Sequence, residues 1–229
     1  NMREEQLLVN EIFHSIQGES TWVGLPCVFI RLRGCPLRCH YCDTSYAFHE
    51  GQTQSIASIL QDVQQYSTKL VEITGGEPLI QPNVYPLMDS LLDKGYEVLL
   101  ETSGERDLSK CDSRIFRIVD IKTPYSGAAD SFNEANYEHL TTRDEVKFVI
   151  TTREDFDWAV GAVLEHSLLT KANSVHFSPV MEQEGNSCIQ GVDRLEPALL
   201  SEWILSSGLP IRMHLQLHKY IWAPQMRGV

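Results

Sequence analysis

Three cysteines, Cys35, Cys39 and Cys42, lie close together in the segment RGCPLRCHYCDTSY (33–46), with the spacing C-x3-C-x2-C. Structural zinc sites are nearly always four-coordinate, so a zinc site here would need a distant fourth ligand, and that alternative stays open. Thiolates also hold iron–sulfur clusters, in which each cysteine ligates one iron. Three cysteines on a four-iron cluster would leave one iron free for an outside ligand. Such an open iron, beside a reducible cluster, suits the binding and reductive cleavage of S-adenosylmethionine.

The other three cysteines, Cys27, Cys111 and Cys188, are isolated in the sequence. Six cysteines in an intracellular chain of this size do not indicate a disulfide framework. We therefore expect these three to be free thiols.

The composition indicates one globular domain that acts on a small molecule. The chain has 229 residues, of which 42% are hydrophobic and 22% charged. Its net charge of −12 argues against broad contact with a nucleic-acid backbone, which requires clustered Lys and Arg. No signal-peptide layout and no apolar run of about 18 residues is present, so a cytoplasmic protein is predicted. Asn1 precedes Met2 and is interpreted as a cloning remnant, which leaves a single domain over residues 2–229.

Apolar, β-branched runs alternate with helical patterns along the chain. Strands are predicted at 27–34, 70–76, 96–104, 115–123, 144–151, 174–180 and 210–218. Helices are predicted between them, one behind Ser55 as a possible N-cap and one ending at Gly95. This order indicates parallel βαβ units, in either an open doubly wound sheet or an incomplete barrel. Both architectures place active sites at the carboxyl ends of the strands, where RGCPLRC, TGGEP, ETSG, DIKTP, FSPV and QLHK occur.

The cysteine motif resembles that of the radical S-adenosylmethionine superfamily, which has an aromatic residue before the last cysteine, as Tyr41 is here. A second feature of that superfamily, GGEP, stands at Gly75, Gly76, Glu77 and Pro78. The resemblance implies that this segment binds the methionine amino group of the cofactor. Glycines allow close backbone approach, and a carboxylate pairs with an ammonium group.

Further segments, SIQGES (15–20), ETSG and QLHKYIW among them, are similar to those of the 7-carboxy-7-deazaguanine synthase family. The resemblance extends over nearly the whole chain. It implies a partial TIM-like barrel and a homodimer. It also implies conversion of 6-carboxy-5,6,7,8-tetrahydropterin to 7-carboxy-7-deazaguanine with release of ammonia, in queuosine biosynthesis.

The resemblance also implies roles for individual residues. The cluster ligands are Cys35, Cys39 and Cys42, and the magnesium ligand is Thr44. S-adenosylmethionine contacts are expected from Tyr41, Cys42, Asp43, Gly75, Gly76, Glu77, Gly104, Asp120, Ile121, Lys122, Ser178, Pro179, Val180 and Met181. Substrate contacts are expected from Ile16, Gln17, Gly18, Glu19, Arg31, Thr102, Gln216 and His218.

Alternatives remain at Arg31 and at Lys147, a further residue that could reach the site. Arg31 suits a fork-shaped donor for the substrate carboxylate, but Arg33 lies on the same strand face by period two, and the family match selects Arg31. Lys147 either reaches the site or is a lysine on the strand surface. The family often has glycine where Ser20 stands, so the turn there is expected to differ.

The expected cofactors are a [4Fe–4S] cluster, S-adenosylmethionine and magnesium, with an external electron donor such as flavodoxin or ferredoxin. One alternative function is an activase that makes a glycyl radical on a partner protein. A second alternative is a non-catalytic iron–sulfur or zinc module.

Overall fold

A single nine-stranded sheet organises the chain. The computed structural model describes residues 5–223 and 226–229, so the expectation for Asn1 lies outside the described residues. The strands are β1 Gln6–Ile16, β2 Pro26–Leu32, β3 Gln52–Ser55, β4 Leu70–Gly75, β5 Glu97–Thr102, β6 Phe116–Asp120, β7 Glu145–Ile150, β8 Ser174–Pro179 and β9 Arg212–Met213.

The sheet is mostly parallel and has two free edges. Its strand order is β3-β1-β2-β4-β5-β6-β7-β8-β9, and each pair from β2·β4 to β8·β9 is parallel. Among the described strands, the pairs β1·β2 and β1·β3 are antiparallel. Because β3 and β9 are at opposite edges, the sheet does not close. The prediction of an α/β fold with an unclosed parallel sheet is therefore confirmed.

Helices cover the sheet and bury its strands. The α-helices are α1 Ile56–Gln64, α2 Val84–Asp93, α3 Arg153–Glu165, α4 Leu168–Lys171, α5 Pro197–Ser207 and α6 His218–Ile221. Short 3-10 helices occupy Ser45–Phe48, Pro78–Ile80, Leu108–Lys110, Pro124–Ser126, Ala129–Ser131 and Glu134–His139. Ser55 caps α1 as predicted, because its hydroxyl accepts a 3.1 Å bond from the Ser58 amide. In the described part of the chain, no helix has the length and apolar character to cross a membrane.

The structure departs from the predicted elements at both ends of the chain. β1 and β3 were not predicted. In β1, burial alternates at Leu7 and Val9, but the register shifts between Val9 and Glu11, which interrupts the period of two. The last predicted strand, 210–218, is wrong beyond Met213, since only Arg212–Met213 pairs with β8. The chain then turns to bond the Gly18 carbonyl through the Leu217 amide at 2.9 Å.

Candidate active site

One cavity gathers most of the predicted site residues at the carboxyl ends of the parallel strands. Those lining it are Ile16, Gln17, Gly18, Glu19, Arg31, Cys35, Cys39, Tyr41, Cys42, Asp43, Thr44, Gly75, Gly76, Thr102, Asp120, Lys122, Ser178, Pro179, Val180, Met181, Gln216 and His218. Glu77, Gly104 and Ile121 are not among the residues lining this cavity. Residues that were not predicted also line it, among them Glu72, Glu101, Ser103, Lys219 and Val229.

The three cysteines lie in the loop that follows β2. Burial raises the pKa of each thiol, to about 11 at Cys35, so bound iron must displace these protons. The Lys122 ammonium acts in the opposite direction on Cys39. In the described residues, no three His, Cys, Asp or Glu side chains stand in a ready metal-binding arrangement. Three thiols on one loop and one cavity nevertheless match the donor set of a cluster with one open iron.

Gly76 allows the cysteine loop to approach the end of β4. A Cβ on Gly76 would lie 2.7 Å from the Cβ of Cys35 and would also collide with the Gly34 carbonyl oxygen. A side chain at this position would therefore displace the first cysteine. This packing is a physical reason for glycine in the GGEP segment.

The Glu77 carboxylate is held inside the fold by hydrogen bonds. Its carboxylate is 1% exposed and accepts bonds from the Thr102 hydroxyl and from the amide and hydroxyl of Ser103, each at 2.8 Å, as well as from the Leu79 amide at 3.2 Å. Burial raises its pKa, although these hydrogen bonds oppose the shift. In this arrangement Glu77 fixes the ends of β4 and β5 instead of facing the cavity.

Asp120 and Lys122 form an ion pair at the end of β6. Lys122 Nζ lies 2.9 Å from Asp120 Oδ2. Among the described residues, Asp120 Oδ1 is buried without a hydrogen-bond partner, and the residue lines the cavity. A buried, unpaired carboxylate oxygen is costly, so this acceptor suits a donor group of a bound ligand.

The structure decides whether Lys147 reaches the site or lies on the strand surface. Its ammonium is buried and lies 2.9 Å from Glu101, 3.2 Å from Glu19 and 3.5 Å from Asp120, so the strand-surface interpretation is wrong. Burial opposes its charge, but Glu101 and Glu19 keep its pKa well above the usual value. Burial alone would raise the pKa of Glu19, but the nearby Lys147 ammonium group lowers it below its ordinary value.

Glu72, in the middle of β4, was not predicted as a site residue. It is 4% exposed, and its Oε1 accepts a 3.0 Å bond from the Gln17 side-chain amide. Burial, reinforced by the charges of Glu101 and Glu19, raises its pKa well above the usual value. Glu72 lines the cavity, where these effects favour the neutral form of its carboxyl group. The sequence signal was a glutamate inside a run of otherwise apolar strand residues, LVEITG.

Arg31 lines the cavity, whereas Arg33 does not. The Nε of Arg31 donates a 2.9 Å bond to Glu11 Oε1, which also accepts a 3.0 Å bond from the Tyr46 hydroxyl. Because Glu11 engages only Nε, the terminal amino groups of the guanidinium remain available for a second carboxylate.

The predicted C-terminal contacts lie directly beside the Gln17–Glu19 segment. A Cβ on Gly18 would lie 2.8 Å from Cγ of His218, so only glycine allows this approach. Burial lowers the pKa of His218, which favours the neutral imidazole. Lys219 pairs with Asp43 at 3.1 Å and lowers the pKa of that carboxyl group against the effect of burial.

Comparisons with known proteins show which family the chain resembles. The family model for the Radical SAM superfamily matches residues 29–192. The 7-carboxy-7-deazaguanine synthase of Koribacter versatilis is 43% identical and covers 96% of this chain and 99% of its own. The enzyme of that name from Chlorobaculum tepidum is also 43% identical, covering 99% of both chains. The crystal structure of QueE from Escherichia coli has a TM-score of 0.73 at 24% identity, covers 93% and 95% of the two chains, and supports the partial-barrel fold.

Membership of the Radical SAM superfamily implies a [4Fe–4S] cluster and S-adenosylmethionine as cofactors. The names of the relatives do not favour an activase or a non-catalytic iron–sulfur or zinc module. The chain belongs to the 7-carboxy-7-deazaguanine synthase family of the Radical SAM superfamily.

Proposed function

We propose that this chain converts 6-carboxy-5,6,7,8-tetrahydropterin to 7-carboxy-7-deazaguanine with release of ammonia, in queuosine and other 7-deazapurine biosynthesis. The relatives that are 43% identical over nearly their full length are named for this product. The observation that carries the proposal is one cavity lined both by the three thiols and by Gln17, Arg31 and His218. A radical source and a polar substrate pocket share this space.

The thiols of Cys35, Cys39 and Cys42 would hold the cluster, and Gly75, Gly76 and Asp120 would help to bind S-adenosylmethionine. When bound, the two cofactors supply the carbon radical that removes hydrogen from the substrate. Ser178, Pro179, Val180 and Met181 line the cavity at the end of β8, where they suit the adenine. The chain itself positions the two partners and excludes water and competing hydrogen donors.

The substrate side is built for a flat, polar ring with one carboxylate. The free amino groups of Arg31 suit that carboxylate, and the neutral imidazole of His218 can donate to or accept from the ring. Gln17 and Glu19 offer an amide and a carboxylate for the hydrogen-bonding edge of the pterin. Thr102 and Gln216 complete the expected contacts.

Magnesium at Thr44 is part of the same proposal. Its Oγ1 is 3.9 Å from the Cys42 sulfur, which supports a position between the cluster and the substrate. One hydroxyl is a weak ligand, so substrate oxygens and water must supply the remaining coordination.

We also propose that the enzyme is a homodimer of the single domain 2–229 and works in the cytoplasm. A flavodoxin or a ferredoxin would supply electrons, and neither nucleic acid nor a membrane would be a partner. These expectations rest on the family resemblance and on the net charge of −12.

The test is anaerobic incubation with reductant, S-adenosylmethionine, magnesium and 6-carboxytetrahydropterin, followed by mass analysis. We expect brown protein and a product with the mass of 7-carboxy-7-deazaguanine. Colourless zinc protein, or brown protein that leaves the pterin unchanged, would refute the proposal.

Two variants separate the proposed roles of the cysteine loop. Cys39→Ala should abolish cluster assembly because it removes one of three ligands. Thr44→Ala should keep the visible absorbance of the cluster and weaken magnesium-dependent turnover. Loss of the cluster in Thr44→Ala would show that this separation of roles is wrong.

A further inference from the structure

The segment that connects β1 to β2, residues 17–25 (the 17–25 loop), reaches the cavity from the side opposite the cysteine loop. It contacts residues at the amino-terminal ends of the parallel strands. Thr21 bonds Glu145, the first residue of β7, and the ring of Trp22 packs against Phe116, the first residue of β6, with ring centroids 4.9 Å apart. The cysteine loop follows the carboxyl end of β2.

Glu145 is the main anchor of the 17–25 loop. Its Oε1 accepts a 2.9 Å bond from the Thr21 amide, and its Oε2 a 2.8 Å bond from the Thr21 hydroxyl. His176 Nε2 at 2.7 Å and the Ser174 hydroxyl at 3.1 Å hold the same carboxylate from β8. Burial opposes ionisation, but these hydrogen bonds lower the pKa of Glu145. Because Thr21 bonds both oxygens of a carboxylate that is itself held in place, the loop has one defined orientation.

His214 provides a second anchor. Its Nε2 accepts a 2.9 Å bond from the Ser20 amide, and its ring lies edge-on to His176 with centroids 5.2 Å apart. Burial lowers the pKa of His214 to about 4, so the imidazole is neutral and its Nε2 can accept at neutral pH. Ser20 is held at φ +63°, a left-handed conformation that serine adopts only when its surroundings require it.

The other side of the anchored loop forms part of the substrate pocket. Gln17, Gly18 and Glu19 line the cavity directly before the two anchored residues. The Gly18 carbonyl accepts a 2.9 Å bond from the Leu217 amide, and Glu19 accepts a 3.3 Å bond from the Gln216 side chain. The loop therefore also holds the segment that carries Gln216 and His218. None of these anchoring bonds involves the cysteine loop.

We propose that Thr21, Glu145 and His214 are positioning residues that hold the 17–25 loop as the floor of the pterin pocket. The inference rests on the proposed function for the identity of the substrate. Side chains fill the interior of a complete barrel. Here the 17–25 loop packs against the first residues of β6 and β7, at the amino-terminal end of the unclosed barrel. Loosening the anchors should weaken pterin binding and leave the binding of S-adenosylmethionine unchanged.

The sharpest test compares Thr21→Val with Thr21→Ser in the reconstituted enzyme. Thr21 is exposed, so neither change disturbs the core. Valine keeps the shape of threonine but loses the hydroxyl that donates a charge-assisted bond to Glu145. We expect this loss to raise the KM for the pterin about tenfold. Serine keeps the hydroxyl and should behave like the wild type. Thr170→Val, which removes an exposed hydroxyl bonded to Ser167, is a control outside the site.

Three further readouts separate positioning from general destabilisation. Cluster absorbance, the Kd for S-adenosylmethionine and kcat should be unchanged in Thr21→Val. Amide hydrogen exchange at Gln17, Gly18 and Glu19 should be about tenfold faster. His214→Gln keeps an acceptor for the Ser20 amide and should retain most of the pterin affinity, whereas His214→Leu should lose it.

A pterin KM in Thr21→Val equal to that of Thr21→Ser, or an equal rise for the pterin and S-adenosylmethionine, would overturn the proposal. If the wild type neither binds nor converts the pterin, the proposed function fails and the pterin assignment of the floor fails with it. Hydrogen exchange still tests the anchoring in that case, because it needs no substrate.

Discussion

Glu72 shows how burial sets the chemistry of a single side chain in this cavity. It lies in β4, where neighbouring strands and helices exclude water, and its Oε1 accepts from Gln17. Burial, together with the nearby charges of Glu101 and Glu19, raises its pKa well above the usual value, so the folded protein holds this proton to a higher pH than the unfolded chain does. In its protonated form this carboxyl group can both donate and accept a hydrogen bond, beside Glu19, whose pKa is lowered by Lys147.

The raised pKa predicts how Glu72→Gln changes stability with pH. Above the ordinary pKa of glutamate, the unfolded wild type loses this proton while the folded wild type retains it, so stability falls as pH rises. Glutamine removes that dependence and keeps the acceptor for Gln17. We expect the stability difference to shift in favour of the variant by up to about 1.4 kcal/mol per pH unit above about pH 4.5, and to stay constant below that pH.

Denaturant unfolding from pH 4 to pH 8 measures this difference. Glu97→Gln, an exposed residue at the start of β5, is the matched control and should run parallel to the wild type. A constant offset between Glu72→Gln and the wild type would mean that Glu72 titrates as an ordinary carboxyl group.

The backbone conformation of Ser20 predicts unequal effects of two substitutions on stability. At φ +63° a side chain with a Cβ costs about 1–2 kcal/mol relative to glycine. Ser20→Gly relieves that cost, but it loses the 3.2 Å bond that the Ser20 hydroxyl accepts from the Trp22 amide. We expect Ser20→Gly to unfold within about 1 kcal/mol of the wild type, and Ser20→Val to be at least about 1 kcal/mol less stable. Equal stability of the two variants in urea titrations would contradict this explanation.

At the level of elements, the sequence runs that led to correct strand predictions form strands that are buried on both faces of the sheet. β4 reads as an apolar run interrupted by Glu72, because both sides of a parallel sheet are covered. In β8 all six residues are buried although Ser174, His176 and Ser178 are polar. β1 escaped prediction because it is antiparallel and carries a register shift, so its buried residues do not alternate over its full length. β9 was predicted too long because Leu215 continues an apolar pattern after the pairing with β8 has ended.

Burial alternates at the start of β1, so substitutions of two adjacent leucines should lower the free energy of unfolding by unequal amounts. Leu7 is 1% exposed and belongs to the main core, whereas Leu8 is 38% exposed. Leu7→Ala should lower the free energy of unfolding by about 2–5 kcal/mol, because it removes buried methyl groups and leaves a cavity. Leu8→Ala should change it by less than about 1 kcal/mol. Denaturant titration of both variants gives the comparison, and similar losses would argue against this register for β1.

At the level of the whole molecule, the site forms where two loops meet from opposite ends of the sheet. Motif spacing predicted the cysteine loop and its GGEP neighbour because each is local in sequence. It did not predict that Glu72 and Glu101 line the cavity, and it left Lys147 undecided. Those three side chains come from different strands, so their convergence depends on sheet order and on the face that each residue occupies. Sequence periodicity gives the face only within one strand.

This arrangement predicts how the molecule responds when its iron is removed. The sheet is held by backbone pairing from β3 to β9 and by two hydrophobic clusters that do not include Cys35, Cys39 or Cys42. Chelation should therefore leave the far-UV circular dichroism and the amide protection of β4 to β8 unchanged. Residues 35–50, between β2 and β3, should lose protection, because local opening follows the loss of local contacts. Hydrogen exchange of chelated and reconstituted protein measures both regions, and global loss of protection on chelation would mean that the cluster holds the barrel together.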